Sequence, residues 1–383
     1  MLEKGMKSIV MVAGEASGDA HGAHLVQAIQ KCCGPIYVCG MGGHRMRDAG
    51  ARVLIDAKEV AVVGITEVLS KTPQVVKAMS RLKKLLTGLK PDLLILIDFP
   101  EFNLHLASKA KKLGIPVLYY ISPQIWAWRA GRVKKIKARV DHMAVILPFE
   151  ASFYRQHDVP VSFVGHPLMD SPTGQVPVRK CTAPSPSPMV ALLAGSRDLE
   201  VSSLLPVMLK ASQRLQKLIP SMRIIISCAH SIDTELVNDI LANHPVENAE
   251  ISNQAIHDML PKCDLAIVAS GTVTLETAIC GVPMVITYTV SPLSYWLGRA
   301  LIDVDHIGLV NLIAEDRIMP ELIQKEVSPE AICETAFDII SDPARYIEMC
   351  EALLVVRQKL GQSGASKKVA EIAQGLMGGA DAL

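Results

Sequence analysis

The chain has 383 residues, half of them hydrophobic, and a formal net charge of +1. That length suits two domains, no apolar run approaches the ~18 residues of a membrane span, and the balanced charge points to no nucleic-acid partner. The nine cysteines are odd in number and lack CxxC spacing, which speaks for a reducing cytoplasm and against a disulfide framework or a zinc site.

The N-terminal MLEKGMKSIVMVAG carries only a short apolar stretch before Gly14, so it reads as a first strand and not as a signal peptide. Further apolar runs follow in order: PIYVCG, DLLILID, PVLYYIS and HMAVIL, then VALLAGS, RIIISCA, DLAIVAS and PMVITYTV. Segments such as VVKAMSRLKKLLTGLK and LLPVMLKASQRLQKLI lie between them. These are apolar at i, i+3, i+4 and i+7, the period of a helix with one buried face. Uninterrupted apolar strands alternating with helices predict α/β architecture with parallel sheets covered on both faces. Residues 171–189, SPTGQVPVRKCTAPSPSPM, hold five prolines and read as a linker. The expected organisation is a Rossmann-like domain over 1–170, the linker 171–189, and a second Rossmann-like domain over 190–345. Helices over 346–383 are expected to pack back toward the first domain. The two doubly wound parallel sheets are expected to face one central cleft, with ligands beyond the carboxyl ends of the strands.

Those strand ends carry the candidate chemistry. The first strand ends in GEASGDAHGAHL, where Ser17 or Asp19 can cap the next helix and Glu15 or His21 can face a ligand; an ordinary capped turn explains the same residues. Neither this loop nor CGMGGHRM is a GxGxxG fingerprint, so a dinucleotide is set aside. DLLILID ends on Asp98, a carboxylate at a strand tip, where it is either a general base or the cap of a helix starting near Asn103. Gly195, Ser196 and Arg197 close the first strand of the second half, and arginine's fork of donors suits a phosphate. Ser270, Gly271 and Thr272 end DLAIVAS and open a helix whose free N–H groups favour an anion. Glu276, one turn on, is placed to accept hydrogen bonds from a ribose diol; the plain alternative is a first-turn acid complementing the helix dipole. Asp303 and Asp305 form a DxD with no further carboxylate beside it, so no metal is expected.

One block is not explained by fold: YYISPQIWAWRAGRVKKIKARVDHMAVILPFEASFYRQHDVPVSFVGHPLMD, 119–170, with two of the three tryptophans, Trp126 and Trp128. With GEASGD, IDFPEFN, GSR, SGTVTLE and the Asn311 of LVNLIA, it resembles the lipid A disaccharide synthase family over essentially the whole chain. The resemblance implies an inverting glycosyltransferase with the two-domain GT-B fold, no cofactor and no metal. It implies UDP-2,3-diacylglucosamine as donor, and 2,3-diacylglucosamine 1-phosphate (lipid X) as acceptor. It implies Asp98 as the base and Glu15, Ser17, Ser196, Arg197, Ser270, Gly271, Thr272, Glu276 and Asn311 as substrate-binding residues. Ala194, Thr289, Val310 and Glu315 depart from the family, which commonly has proline, a basic residue, proline and glycine there.

A doubly acylated anionic acceptor requires work at a membrane surface. Residues 68–91 contain Lys71, Lys77, Arg81, Lys83, Lys84 and Lys90 without an acid, and Arg129 to Arg139 adds six basic residues, again without one. EVAVVGITEVL precedes the first stretch. An apolar segment flanked by basic residues is the pattern of an interfacial anchor, here at the cytoplasmic face of the inner membrane, while a core helix with a solvated basic face is the alternative. The rival functions are another GT-B enzyme acting on UDP-N-acetylglucosamine and a non-catalytic sugar-nucleotide-binding module at the membrane surface. Oligomeric state, a homodimer included, is open at this level.

Overall fold

The computed structural model describes residues 6–60, 65–126, 130–229, 231–290 and 306–378. Residues 61–64 of the apolar segment, Trp128, Arg129, Asp303 and Asp305 lie outside them. The chain forms two compact units, Met1–Pro167 with Gln362–Leu383, and Leu168–Gly361.

The first unit is a seven-stranded parallel sheet of β1 (Ser8–Ala13), β2 (Tyr37–Gly42), β3 (Arg52–Asp56), β4 (Leu93–Ile97), β5 (Val117–Tyr120), β6 (His142–Val145) and β7 (Val161–Phe163). Their spatial order is β3-β2-β1-β4-β5-β6-β7. The strands are apolar throughout because helices cover both faces. Val10, Val12, Leu94, Leu96 and Tyr119 enter one core, and Ile9, Met11, Ile95, Ile97 and Tyr120 enter the other. Successive side chains point to opposite faces, so both alternating sets must be apolar. Each such residue contributes ~1.5–3 kcal/mol on full burial.

The second unit is a six-stranded parallel sheet of β8 (Met189–Leu193), β9 (Arg223–Ser227), β10 (Ala249–Ser252), β11 (Leu265–Ala269), β12 (Met284–Tyr288) and β13 (Glu321–Ile323), in the order β10-β9-β8-β11-β12-β13. In both units the order reverses beside the first strand, at β1/β4 and at β8/β11. That reversal opens a crevice at the carboxyl edge of each sheet.

The proline-rich segment is strapped to the second unit. Arg179 donates to the Cys263 carbonyl and to the Asp264 carboxylate, and Asp264 also accepts from the backbone of Ser185 and Met189. The C-terminal segment, expected as one block over 346–383, is divided between the units. The helix Pro343–Lys359 belongs to the second unit, where Tyr346 donates to the Asp264 carbonyl and Arg357 to the carbonyls of Gly174, Val176 and Ile279. The helix Ala365–Gly378 belongs to the first, with Val369, Ala370 and Ala373 in its core. Gly361 and Gly364, at φ 86° and 110°, make the break, because only glycine adopts such angles without strain. Among the described residues no helix is long and apolar enough to cross a membrane.

Candidate active site

The register of β1 with β4 pairs Ala13 with Ile97, and that of β4 with β5 pairs Ile97 with Tyr120. Glu15 and Asp98 therefore leave the sheet at the same carboxyl edge. β4 ends in two consecutive left-handed residues, Asp98 at φ 45° and Phe99 at φ 49°. Each costs ~1–2 kcal/mol for a residue with a Cβ. The helix then starts at Pro100, with Phe99 as its N-cap and no side-chain cap. Asp98 is thus not the cap of a helix starting near Asn103; Asn103 already lies in the first turn. The Asp98 carbonyl accepts from Asn103 Nδ2 at 2.6 Å and from Tyr119 Oη at 2.7 Å.

The turn needs room, and Gly14 provides it: a Cβ there would lie 2.4 Å from the Phe99 ring. Asp98 is half-buried. Its carboxyl is pushed up from 3.8 to about 6, first by burial and then by repulsion from Glu15, with the Phe99 N–H opposing. A carboxylate titrating near neutrality at a strand tip is suited to general base work.

The rest of the first loop sorts clearly. Glu15 and Ser17 are exposed. Asp19 is buried, and its carboxylate accepts from the backbone N–H groups of Gly43, Arg45 and Met46. It caps the helix His44–Asp48, not its own, so its oxygens are already occupied. Neither does Ser17 cap its helix: Ala16–Cys33 has Glu15 at its N-cap without a side-chain bond. His21 meets the Tyr120 ring edge-on at 6.4 Å, and burial lowers its pKa to about 4. Glu101 pairs with Arg132.

In the second unit, β8 and β11 run side by side with Leu193 opposite Val268. The loops that follow them, Gly195–Arg197 and Ser270–Thr272, are therefore neighbours at one carboxyl edge. The helix Thr272–Ile279 starts without a side-chain cap, and a Cβ built on Gly271 meets nothing within 4 Å. Arg197 is exposed and bonds Glu200 at 2.8 Å. Glu276 is half-buried, and its carboxylate makes no hydrogen bond among the described residues. Burial raises its pKa, opposed by the charge of His257.

Asn311 differs in kind. It is fully buried: its Nδ2 donates to the Met319 carbonyl and Glu321 Oε1, while its Oδ1 accepts from Met319 N. Glu321 also accepts from the N–H groups of Ile307 and Gly308. Both donors of the Asn311 amide are thus spent on holding the loop 306–321.

The sequence profile described as Lipid-A-disaccharide synthetase matches residues 9–374. The chain belongs to the lipid-A-disaccharide synthase family. It is 47% identical to the lipid-A-disaccharide synthase of Syntrophus aciditrophicus over 371 residues, covering 96% of this chain and 97% of that one. It is 42% identical to that of Coxiella burnetii over 375 residues, covering 97% and 99%. Among solved structures it resembles the calicheamicin glycosyltransferase CalG4, with a TM-score of 0.63 at 14% identity and coverage of 98% and 100%. It also resembles the UDP-GlcNAc 2-epimerase of Neisseria meningitidis, with a TM-score of 0.62 at 14% identity and coverage of 96% and 99%. The shared fold is the pair of Rossmann-like domains of GT-B glycosyltransferases and epimerases.

Membership gives the departures a physical reading. Glu315 stands at φ 63° as the C-cap of the helix Leu309–Ala314. A left-handed C-cap is a position that glycine adopts without strain, and Glu315 accepts strain there. Lys359 partly offsets it by donating to the last carbonyls of that helix, Ile313 and Ala314. Val310 and Ala194 are buried and Thr289 is half-buried.

The sequence does not mark Asn103 or Tyr119 as part of the site. Asn103 stood in the quoted IDFPEFN and Tyr119 opened the family block, but nothing in their spacing says that both reach one carbonyl. A third interaction lies inside that block. Glu150 is fully buried, and burial pushes its carboxyl up to about 7 against the bonds it accepts from Leu147 N and Trp126 Nε1. Trp126 also packs edge-on against Phe149 at 4.7 Å. Trp126, the first tryptophan of SPQIWAW, is thus anchored from the start of the helix Pro148–Gln156.

Proposed function

We propose that this chain transfers 2,3-diacylglucosamine from UDP-2,3-diacylglucosamine to the 6-hydroxyl of 2,3-diacylglucosamine 1-phosphate, giving the β-1,6 disaccharide 1-phosphate and UDP. Asp98 carries the reading: a half-buried carboxylate raised toward neutrality at the carboxyl end of β4. As the acceptor oxygen bonds to the anomeric carbon and the bond to UDP breaks, Asp98 takes the hydroxyl proton. One displacement by a base-assisted hydroxyl inverts the anomeric centre. The leaving diphosphate gains negative charge, which the free N–H groups at Thr272 and the Arg197 guanidinium stabilise electrostatically. Ser196, Ser270 and Gly271 supply small polar loops that admit phosphate, and Glu276 accepts from the ribose hydroxyls. Glu15 and Ser17 face the sugar from the first loop. Asn311 acts by holding the 306–321 loop.

The acceptor and donor are both lipids, so the enzyme works at the cytoplasmic face of an anionic membrane. Exposed Lys77, Lys84, Lys134 and Lys135 support that placement. The test is UDP release from protein supplied with both acylated substrates. Release that depends on the acceptor is expected, and Asp98→Asn should cut turnover ~10²–10⁴-fold, the usual range for general base catalysis, with UDP affinity unchanged. Turnover of Asp98→Asn within about tenfold of wild type would move the base elsewhere.

A further inference from the structure

The Asp98–Phe99 turn places two consecutive non-glycine residues at positive φ, and two buried side chains donate to it. Tyr119 and Asn103 are both fully buried, on different elements, and both donate to one oxygen, the carbonyl of Asp98. Two donors saturate a carbonyl's two lone pairs and leave its peptide plane little freedom to turn. Asn103 Nδ2 also donates to the Ile97 carbonyl at 3.2 Å, and Asn103 N to the Phe99 carbonyl at 3.0 Å. One residue therefore ties together three consecutive carbonyls across the end of β4. Asp98 N donates to the Tyr120 carbonyl at 3.1 Å, fixing the other side of the same residue.

This arrangement leaves something unsatisfied: Asn103 Oδ1 is buried with no hydrogen-bond partner among the described residues. A buried orphan acceptor is destabilising, so stability alone does not account for an asparagine here. Strain and an orphan polar atom at one turn are what a site shows when position matters more than stability.

We propose that Tyr119 and Asn103 are positioning residues: by clamping the Asp98 carbonyl they hold the left-handed turn and so aim the Asp98 carboxylate at its proton. The proposal rests on the reading of Asp98 as the base. Released from the clamp, the turn would relax toward an ordinary right-handed geometry and swing the carboxylate away from the acceptor. It would also admit water to a group now half-buried. The Tyr119 phenol stays protonated throughout, because burial and the nearby Asp98 hold its pKa well above its usual value. Its role is that of a fixed donor.

The experiment is a double-mutant cycle on the full chain, combining Tyr119→Phe with Asp98→Asn, and repeated with Asn103→Ala in place of Tyr119→Phe. Folding is checked by thermal unfolding, and the two clamp variants back each other up if one fails to fold. Tyr119→Phe should lower kcat by roughly tenfold with UDP affinity unchanged, since misplacing a base removes transition-state stabilisation alone. The acid limb of kcat/KM should move to lower pH, because a solvated carboxylate returns toward its ordinary range. In the Asp98→Asn background the same change should cost less than about twofold, because nothing is left to aim. An equal loss in both backgrounds, or no loss in the wild type, overturns the clamp while leaving the base intact. Near-wild-type turnover of Asp98→Asn alone overturns the base, and the clamp's catalytic sense with it.

Discussion

Replacing Glu15 by Gln removes the like charge that adds to burial in raising Asp98. The Asp98 carboxyl sits at about 6 instead of 3.8, with burial the larger cause and Glu15 the second. On the proposed role of Asp98 as the base it acts as the carboxylate, so kcat/KM should fall as the pH drops through about 6. One unit below that point roughly one molecule in eleven is ionised, a tenfold loss equal to ~1.4 kcal/mol. Removing a neighbouring negative charge favours the ionised form, so Glu15→Gln should move the limb to lower pH. The limb should remain above 3.8, because the burial that contributes most is untouched. The assay is UDP release with both acylated substrates in mixed micelles over about pH 4.5–8, read as log kcat/KM against pH. The shape of the profile is the readout, because Glu15 also stands among the proposed substrate contacts and its loss can lower the whole curve. A limb that stays at about 6 in Glu15→Gln, or moves up, would refute the electrostatic reasoning.

Glu276→Ala should weaken UDP binding by ~1–3 kcal/mol in calorimetry, the loss of hydrogen bonds to a charged acceptor. It should leave thermal stability unchanged or raised, because the carboxylate has no hydrogen bond to lose within the described chain; a drop in Tm with unchanged affinity would make Glu276 structural. Glu315→Gly should stabilise the chain by ~1 kcal/mol, about 2–4 °C in Tm, by relieving the left-handed C-cap. The exposed Lys359–Glu315 pair it sacrifices, 3.9 Å long, contributes little, so a lower Tm would contradict the strain. Reversing Lys77, Lys83 and Lys84 to Glu should release the protein from anionic vesicles in sedimentation, and high salt should do so in part as the Debye length falls to ~3 Å at 1 M; equal sedimentation of variant and wild type would leave those lysines as a solvated helix face.

The architecture was legible because it is local in origin. Runs such as LLILI and LAIVA have no polar face, and only a strand covered on both sides tolerates that. Their alternation with 3.6-period segments leaves parallel βα units as the economical solution. The strand tips were legible for the same reason, since Asp98, Ser270 and Gly195 stand where an apolar run stops. What the tips do with their side chains was not legible. Asp19 reads as the cap of its own helix, yet it serves Gly43, Arg45 and Met46, because the fold brings another helix start to its carboxylate. Asn311 reads as a ligand contact, yet its amide donors serve Met319 and Glu321. Tyr119 and Asn103 carry no motif for a shared carbonyl, and Gly14 shows its purpose only when the Phe99 ring lies against it. Hydrophobic periodicity is an average over many residues and survives in one dimension. A hydrogen bond or a steric exclusion depends on ångström placement between residues far apart in the chain, and only the packed tertiary structure sets that.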